Sequence, residues 1–454
     1  MVSREIPCAI ALVYGLSVGR VGGKTTRVPE FADAIVFWLK LGFINFGGPT
    51  GQIALMHTEL VEKRKWISEA RFLHALNFCM LLPGPEATQL AINIGWLLHR
   101  MWGGLAAGVL FVLPSACILW GLSCVYAKFG KVAWVAAIFY GLKPAVLAIV
   151  AAALIRIGQR TLKNAVACAM AGLAFVAIYF VRAPFPIIVL GAGLAGLIGG
   201  RFWPEKFLIS GDHGLTSGVE TEAGEVPESG RPSLIRALKI CVVGLVVWWV
   251  PVLLLGGCLG WNHALLREGI FFSKAAMVTF GGAYAVLPYV AQRAVEQYHW
   301  LTAGQMLDGL GLAETTPGPL IMVLQFVGFL GGWNQPGNLS PLLSASLGAF
   351  ITTWTTFVPC FVWIFLGAPH VERLRGKITW TAALSAVTAA VVGVILNLAV
   401  WFGLHVIWPD RKLVDWFGVV VSGVAFAGMT KCNWDIVPVV LGAGVCGLFY
   451  RWLV

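Results

Sequence analysis

Two short motifs occur twice in this chain, and each puts glycine or proline where a helix would otherwise run on. Phe46-Gly47-Gly48 returns as Phe280-Gly281-Gly282, and Pro83-Gly84-Pro85 returns as Pro317-Gly318-Pro319. Proline lacks a backbone donor and clashes with the preceding turn, while glycine frees the backbone, so helices are predicted to unwind at these points. Unwinding bares N–H groups at the start of the next half-helix, the positive end of its dipole. That combination suits an oxyanion. The glycine pairs would let such a ligand approach the main chain closely. The same residue types also serve packing and kinking in membrane helices, but recurrence of both motifs at one spacing favours a binding role.

Charged residues stand in register with these breaks. Lys40 and Lys274 each precede their glycine pair by seven residues, nearly two turns and roughly 10 Å along one helix face. They either snorkel to the headgroups or turn inward and guide an anion. Glu86 follows the first Pro-Gly-Pro directly, where the second copy has Leu320; the second copy's acid is Glu314, three residues before Pro317. Glu86 either stabilises its helix N-terminus, or one or both acids carry a proton, as intramembrane carboxylates often do. His74 and Asp308 occupy equivalent positions with different charge, so the copies have diverged. Asn45, Thr279, Asn77, Thr88, Gln89, Thr315 and Thr316 are neutral polar neighbours. The ten cysteines form no C-x-x-C pair and the eight histidines no i, i+4 pair. No metal site, cofactor, nucleotide loop or catalytic pair is therefore expected, and the chain does not read as an enzyme.

These residues must be positioned by membrane helices. Of 454 residues 58% are hydrophobic and only 12% charged, against about 25% charged in a soluble domain. Runs of 18 or more apolar residues, each able to cross roughly 30 Å of hydrocarbon, recur along the chain. The fold class expected is an all-α polytopic membrane protein of about 13 transmembrane helices. The spans read as Ala34–Met56, Phe72–Leu98, Trp102–Tyr126, Val132–Ile155, Ala165–Val181, Phe185–Gly200, Arg236–Leu259, Leu266–Ala291, Gln305–Leu330, Leu342–Leu366, Ile378–Leu404, Leu413–Met429 and Ile436–Leu453. The net charge of +11 reads as basic cytoplasmic loops rather than as a nucleic-acid surface. Ile6–Val18 is too short to span and reads as an interfacial segment.

The chain is a duplication. Residues 37–85 laid on 271–319 without a gap give 13 identities in 49 positions, among them Val61-Glu62, Trp66, Leu73 and Leu76. Leu113-Pro114 recurs as Val358-Pro359 after an insertion near Asn334–Ser340. The organisation is a tail (1–33), a first membrane repeat (34–203), a polar linker (204–235), a connecting helix (236–260) and a second repeat (261–454). The Glu205–Ser233 stretch has a disordered-linker composition. One extra span between the copies inverts the second, giving two inverted-topology repeats (6 + 1 + 6) with broken helices. Arg293 and the Arg373/Arg375/Lys377 cluster would then be cytoplasmic and Gly332–Ser340 outside. Lys63-Arg64-Lys65 and Arg71 would face outward, against the trend. Either Glu59, Glu62 and Glu69 neutralise that loop, or Ala34–Met56 is re-entrant.

The duplicated Phe-Gly-Gly and Pro-Gly-Pro motifs, the lysine before each Phe-Gly-Gly and about 13 spans resemble the long, two-domain members of the chromate ion transporter family. The resemblance covers nearly the whole chain and is strongest at 37–126 and 271–366. It implies a multi-pass protein of the bacterial inner membrane that exports chromate and confers resistance, with sulfate as a possible competitor. A sulfate- or molybdate-type uptake permease and an anion channel are the rival readings. By motif match the family's important positions fall on Phe46, Gly47, Gly48, Pro83, Gly84, Pro85, Phe280, Gly281, Gly282, Pro317, Gly318 and Pro319. Leu320 in place of a second glutamate departs from a symmetrical site.

Overall fold

Apolar runs without charge have only helix available to them in lipid, because every backbone polar group must be satisfied within the segment. The computed structural model describes residues 29–203, 234–280, 282–367, 378–409 and 413–453. Ile6–Val18, the Glu205–Ser233 linker, Gly281 and the Arg373/Arg375/Lys377 cluster lie outside the described residues. Within them all regular structure is helical, and seven helices are long and apolar enough to cross a membrane. The chain is a multi-pass membrane protein, as composition requires.

The first repeat comprises α1 (Phe31–Ile44), α2 (Gly48–His57), α3 (Glu69–Met80), α4 (Glu86–Phe129), α5 (Ala133–Thr161), α6 (Ala165–Tyr179) and α7 (Phe185–Phe202). After α8 (Leu234–Leu259) the second repeats the series as α9 (Ala264–Val278), α10 (Ala283–Gln292), α11 (Ala303–Thr315), α12 (Val323–Asn334), α13 (Pro341–Gly367), α14 (Ile378–Ile407), α15 (Trp416–Lys431) and α16 (Ile436–Leu453). Equivalence extends to detail. A π-helical turn follows α2 at Thr58–Lys63 and α10 at Arg293–Gln297. Lys65 and His299 share positive φ, 54° and 53°. Ser68 caps α3 and Thr302 caps α11.

The structure departs from the expected spans at the breaks, where the chain reverses instead of continuing. The Phe37 and Trp66 rings are 5.0 Å apart and the Arg64 guanidinium sits 4.8 Å from the Phe37 centroid. An uninterrupted helix would separate residues 37 and 66 by roughly 43 Å, so α1 and α2 form a hairpin with its tip at Asn45–Gly47. The α9–α10 pair does the same, with Phe271 packed on Tyr289, Tyr298 and Trp300. Pro-Gly-Pro forms a second tip. Gly309 before it lies so close to Phe326 beyond it that a Cβ at Gly309 would be 2.2 Å from the ring. A third reversal divides α4 into arms 86–98 and 101–129 at His99 and Arg100, where φ and ψ leave the helical region. Its arms touch through Gly95 and Gly103, where small residues let helix backbones meet.

Folding back two expected spans in each repeat removes an even number of crossings, which keeps the parity an inverted second repeat needs. It also bears on the charge anomaly. If the folded-back Ala34–Met56 segment is re-entrant, Lys63-Arg64-Lys65, Arg71 and Arg100 would share the linker's side, as the trend toward basic cytoplasmic loops expects. Glu59 additionally pairs with Lys63 at 2.7 Å and Arg64 at 3.7 Å. On the same counting Arg293, expected with the linker, would lie on the opposite side. The repeats are interlocked, because α14 of the second packs against α5, α6 and α7 of the first. One apolar core joins both.

Candidate functional site

The hairpin tips of the two repeats meet. The Gly84 N–H donates to the Thr279 carbonyl at 2.7 Å, and the Gly318 N–H donates to the Asn45 carbonyl at 2.6 Å. Asn45 and Thr279 are equivalent residues, as are Gly84 and Gly318, so each Pro-Gly-Pro tip is tied to the Phe-Gly-Gly tip of the other repeat. The side-chain contacts repeat the exchange. A Cβ on Gly318 would lie 2.3 Å from the Ser115 Cβ and Oγ; one on Gly84 would lie 3.1 Å from the Cys360 Sγ. Ser115 and Cys360 follow the equivalent Pro114 and Pro359. Gln52 adds a bond from Nε2 to the Gly318 carbonyl at 2.6 Å, and Gln89 one from Nε2 to the Pro83 carbonyl at 2.7 Å.

Gly84 and Gly318 have φ of +127° and +115°, a region closed to side chains without strain. Gly48 and Gly282 match likewise at +68° and +89°. The expectation that unwinding bares donors needs adjusting at the glycines, whose own N–H groups are consumed in the reciprocal bonds. The first turn of the 86–98 arm still begins at Glu86 after Pro85, and the first N–H groups of a helix have no partner within it. Half-helices starting at Gly48, Ala283 and Leu320 also begin at the tips.

Around this junction lie buried polar atoms without a hydrogen-bond partner: both side-chain atoms of Asn45, and Gln52 Oε1, Thr88 Oγ1, Gln89 Oε1 and Ser115 Oγ. Interior polar atoms are nearly always paired, and unpaired ones in a cluster mark the place of a ligand or water. Asn45, Thr88 and Ser115 retain donors suited to a tetrahedral anion. The Thr279 hydroxyl is occupied with the Ala275 carbonyl at 2.7 Å, and that of Thr316 with Ala313 at 3.2 Å.

Not every expected residue converges. Pro83, Gly84, Pro85, Pro317, Gly318 and Pro319 form the two tips, and Asn45 is wholly buried between them. Phe46 and Gly47 are exposed, and Phe280 and Gly48 are half-buried. Lys40 and Lys274 are exposed, so their ammonium groups stay outside the buried junction. Glu86 is half-buried beside it. Glu314 is buried, and its Oε1 accepts from the Tyr284 hydroxyl at 2.6 Å.

The structure adds groups that motif reading did not find. Tyr126 donates to Asp308 Oδ2 at 2.7 Å, and Lys143 Nζ stands 3.8 Å from Oδ1, an ion pair joining α4 and α5 to α11 across the repeats. In the sequence Asp308 stands out only by its difference in charge from His74. Glu268, on α9, is fully buried with both carboxylate oxygens unpaired. Its equivalent in the first repeat is Ala34, so comparison of the copies gives no signal; an acid beside Arg267 at the start of an apolar run is the available one.

The sequence model of a family described as Chromate transporter matches residues 32–197 and 267–448. A chromate transport protein of Pseudomonas aeruginosa is 31% identical over 442 residues, covering 95% of this chain and 94% of that one. A chromate transport protein of Cupriavidus metallidurans is 29% identical over 432 residues, covering 94% and 95%. An uncharacterized transporter of Bacillus subtilis, YwrB, is 28% identical over 134 residues, 30% of this chain and 68% of its own. No solved structure matches.

Proposed function

The chain belongs to the chromate transporter family, and from that premise we propose that it exports chromate across the inner membrane and confers chromate resistance. The observation that carries the proposal is the junction itself. Four backbone breaks from two repeats are held together by the reciprocal Gly84–Thr279 and Gly318–Asn45 bonds, amid unpaired Asn45, Thr88 and Ser115 side chains. Irregular backbone at membrane depth persists where it is buried in protein or lines a wet cavity. Neutral donors and helix N-termini can hold a dianion without the tight pairing that a buried lysine or arginine would impose, and a carried ion must leave again.

Direction follows from charge. Chromate is largely a dianion at neutral pH, and the cell interior is negative. Moving two charges outward is favoured by about 4.6 kcal/mol per 100 mV, enough for a gradient of more than about 10³-fold. Export therefore proceeds mainly on membrane potential, with Glu86 tuning rather than powering it, whereas uptake would need several coupled cations. Within this reading residues 34–203 and 261–454 are the two transporting repeats, joined by the 204–235 linker and the 236–260 helix.

The test is chromate accumulation in cells that express the chain, with sulfate as competitor. Export predicts lower accumulation than in cells lacking it, and relief of that exclusion by excess sulfate if the site accepts both. Higher accumulation in expressing cells would replace the reading with an uptake permease.

A further inference from the structure

We propose that Glu268 is a proton-binding site that controls the position of the α9–α10 hairpin. Glu268 is fully buried, and neither of its carboxylate oxygens has a hydrogen-bond partner. It lies in a notch made by glycines of the α12–α13 hairpin. A Cβ at Gly331 would stand 2.3 Å from Oε1, and one at Gly348 2.9 Å from Oε2. Any side chain at either glycine would occupy the space the carboxyl fills. Beside the notch, Thr352 Oγ1 packs against Gly328, and both Thr352 Oγ1 and Ser344 Oγ are also unpaired.

Among the described residues no fixed cation faces it. α12 and α13 contain no Asp, Glu, Lys, Arg or His, and the one cysteine of α13, Cys360, lies at Gly84. α8 carries Arg236 and Lys239 near its start but meets α9 through Val252 and Gly256. On α10, Tyr284 is bonded to Glu314 and Tyr289 packs on Phe271. On α9 itself, Arg267 and Lys274 are exposed. The Trp300 ring lies against Gly331, its Cγ 3.2 Å from where a Cβ there would stand. A fully buried carboxyl with no cation beside it and no donor bonded to it keeps its proton rather than remain charged, and the neutral acid is the form that fits this notch.

α9 ends one residue before Thr279, the residue that accepts from Gly84. Eleven residues of helix, roughly 16 Å, separate Glu268 from that bond. With its proton, Glu268 seats α9 against the α12–α13 hairpin and keeps the Thr279 tip at the junction. Loss of the proton leaves an unpaired charge, which only separation of α9 from the hairpin can hydrate. Ala34 fills the equivalent place in the first repeat and is likewise buried, so only the second repeat carries the control. Proton occupancy then sets how readily the junction rearranges, while membrane potential sets direction.

The experiment uses the purified full-length chain and Glu268→Gln, with Glu268→Asp as the variant that keeps a titratable group. Infrared spectra should contain a protonated-carboxyl carbonyl band that Glu268→Gln lacks and Glu268→Asp retains at a shifted position. This arm needs no substrate, so it stands or falls apart from the chromate reading. In proteoliposomes at fixed potential and equal pH on both sides, wild-type chromate flux should vary with pH. Glu268→Gln should lose that variation, with flux lowered about tenfold because one state is held, while chromate binding persists. If Glu268→Gln is not recovered folded, Glu268→Asp decides on the same two readouts. An unchanged carboxyl band, or a wild-type pH profile in Glu268→Gln, overturns the proposal. So does a wild-type requirement for sodium that disappears with Glu268.

Discussion

Substituting Gly318 with alanine probes the exchanged contact between the repeats directly. Two costs arise together. The backbone there has φ of +115°, and holding a residue with a side chain in that region costs about 1–3 kcal/mol. The new Cβ also falls 2.3 Å from the Ser115 Cβ and Oγ, and such overpacking costs about 1–3 kcal/mol more. Gly318→Ala should thus destabilise by about 2–6 kcal/mol. Gly84→Ala meets similar backbone strain at +127°. Its nearest obstacle is Gln89 Nε2 at 2.8 Å, a flexible group, with Cys360 Sγ at 3.1 Å. Its cost should stay near the strain alone, about 1–3 kcal/mol. Ser115→Gly removes the obstructing hydroxymethyl group and, introduced with Gly318→Ala, should recover the packing part though not the strain. Glycine in a helix itself costs about 1 kcal/mol, so recovery is judged from the double-mutant cycle. Thermal unfolding of purified variants, with chromate transport measured in parallel, provides the readout. If Gly318→Ala is no worse than Gly84→Ala, or Ser115→Gly gives no rescue, the described contact is wrong.

Three further outcomes follow from the same geometry. Asn45→Ala removes a buried, unpaired donor at the proposed site and should weaken chromate binding about 10- to 100-fold, the loss of a charge-assisted bond; unaltered affinity would place the anion elsewhere. Lys40→Gln or Lys274→Gln should change flux modestly and more at low salt, because these exposed lysines act at a distance, and Arg should preserve the effect; abolished transport would put the lysine inside the site. Reporters or single cysteines after Lys65 and Ser210 should be accessible from the cytoplasm and one after Gly337 from the opposite side; Lys65 on the Gly337 side would exclude the re-entrant hairpin.

Much of this architecture was legible in the residues. Composition required a membrane protein, and the ungapped repeat containing Lys40, Phe46 and Pro83-Gly84-Pro85 gave the duplication and the positions of the breaks. What the breaks do was not legible, since an apolar run such as Ala34–Met56 reads alike whether it crosses or doubles back at Asn45. The only sign was the misplaced charge of Lys63-Arg64-Lys65. The exchanged bonds of Gly84 and Gly318 depend on contacts between residues about 200 and about 270 positions apart, to which local pattern is blind. The same holds for the Tyr126–Asp308–Lys143 link. Lys40 and Lys274 show a different limit: both are exposed, and register with a motif does not fix which face of a helix meets the core.

The most direct test of transport through this junction is chromate uptake by inverted membrane vesicles under an imposed potential with no pH gradient. The described charge movement predicts uptake that rises as the vesicle interior is made positive, by up to about 4.6 kcal/mol of driving force per 100 mV, and that is lost in vesicles lacking the protein. Uptake indifferent to potential and following only a pH gradient would contradict potential-driven export and make Glu86 the leading coupling residue.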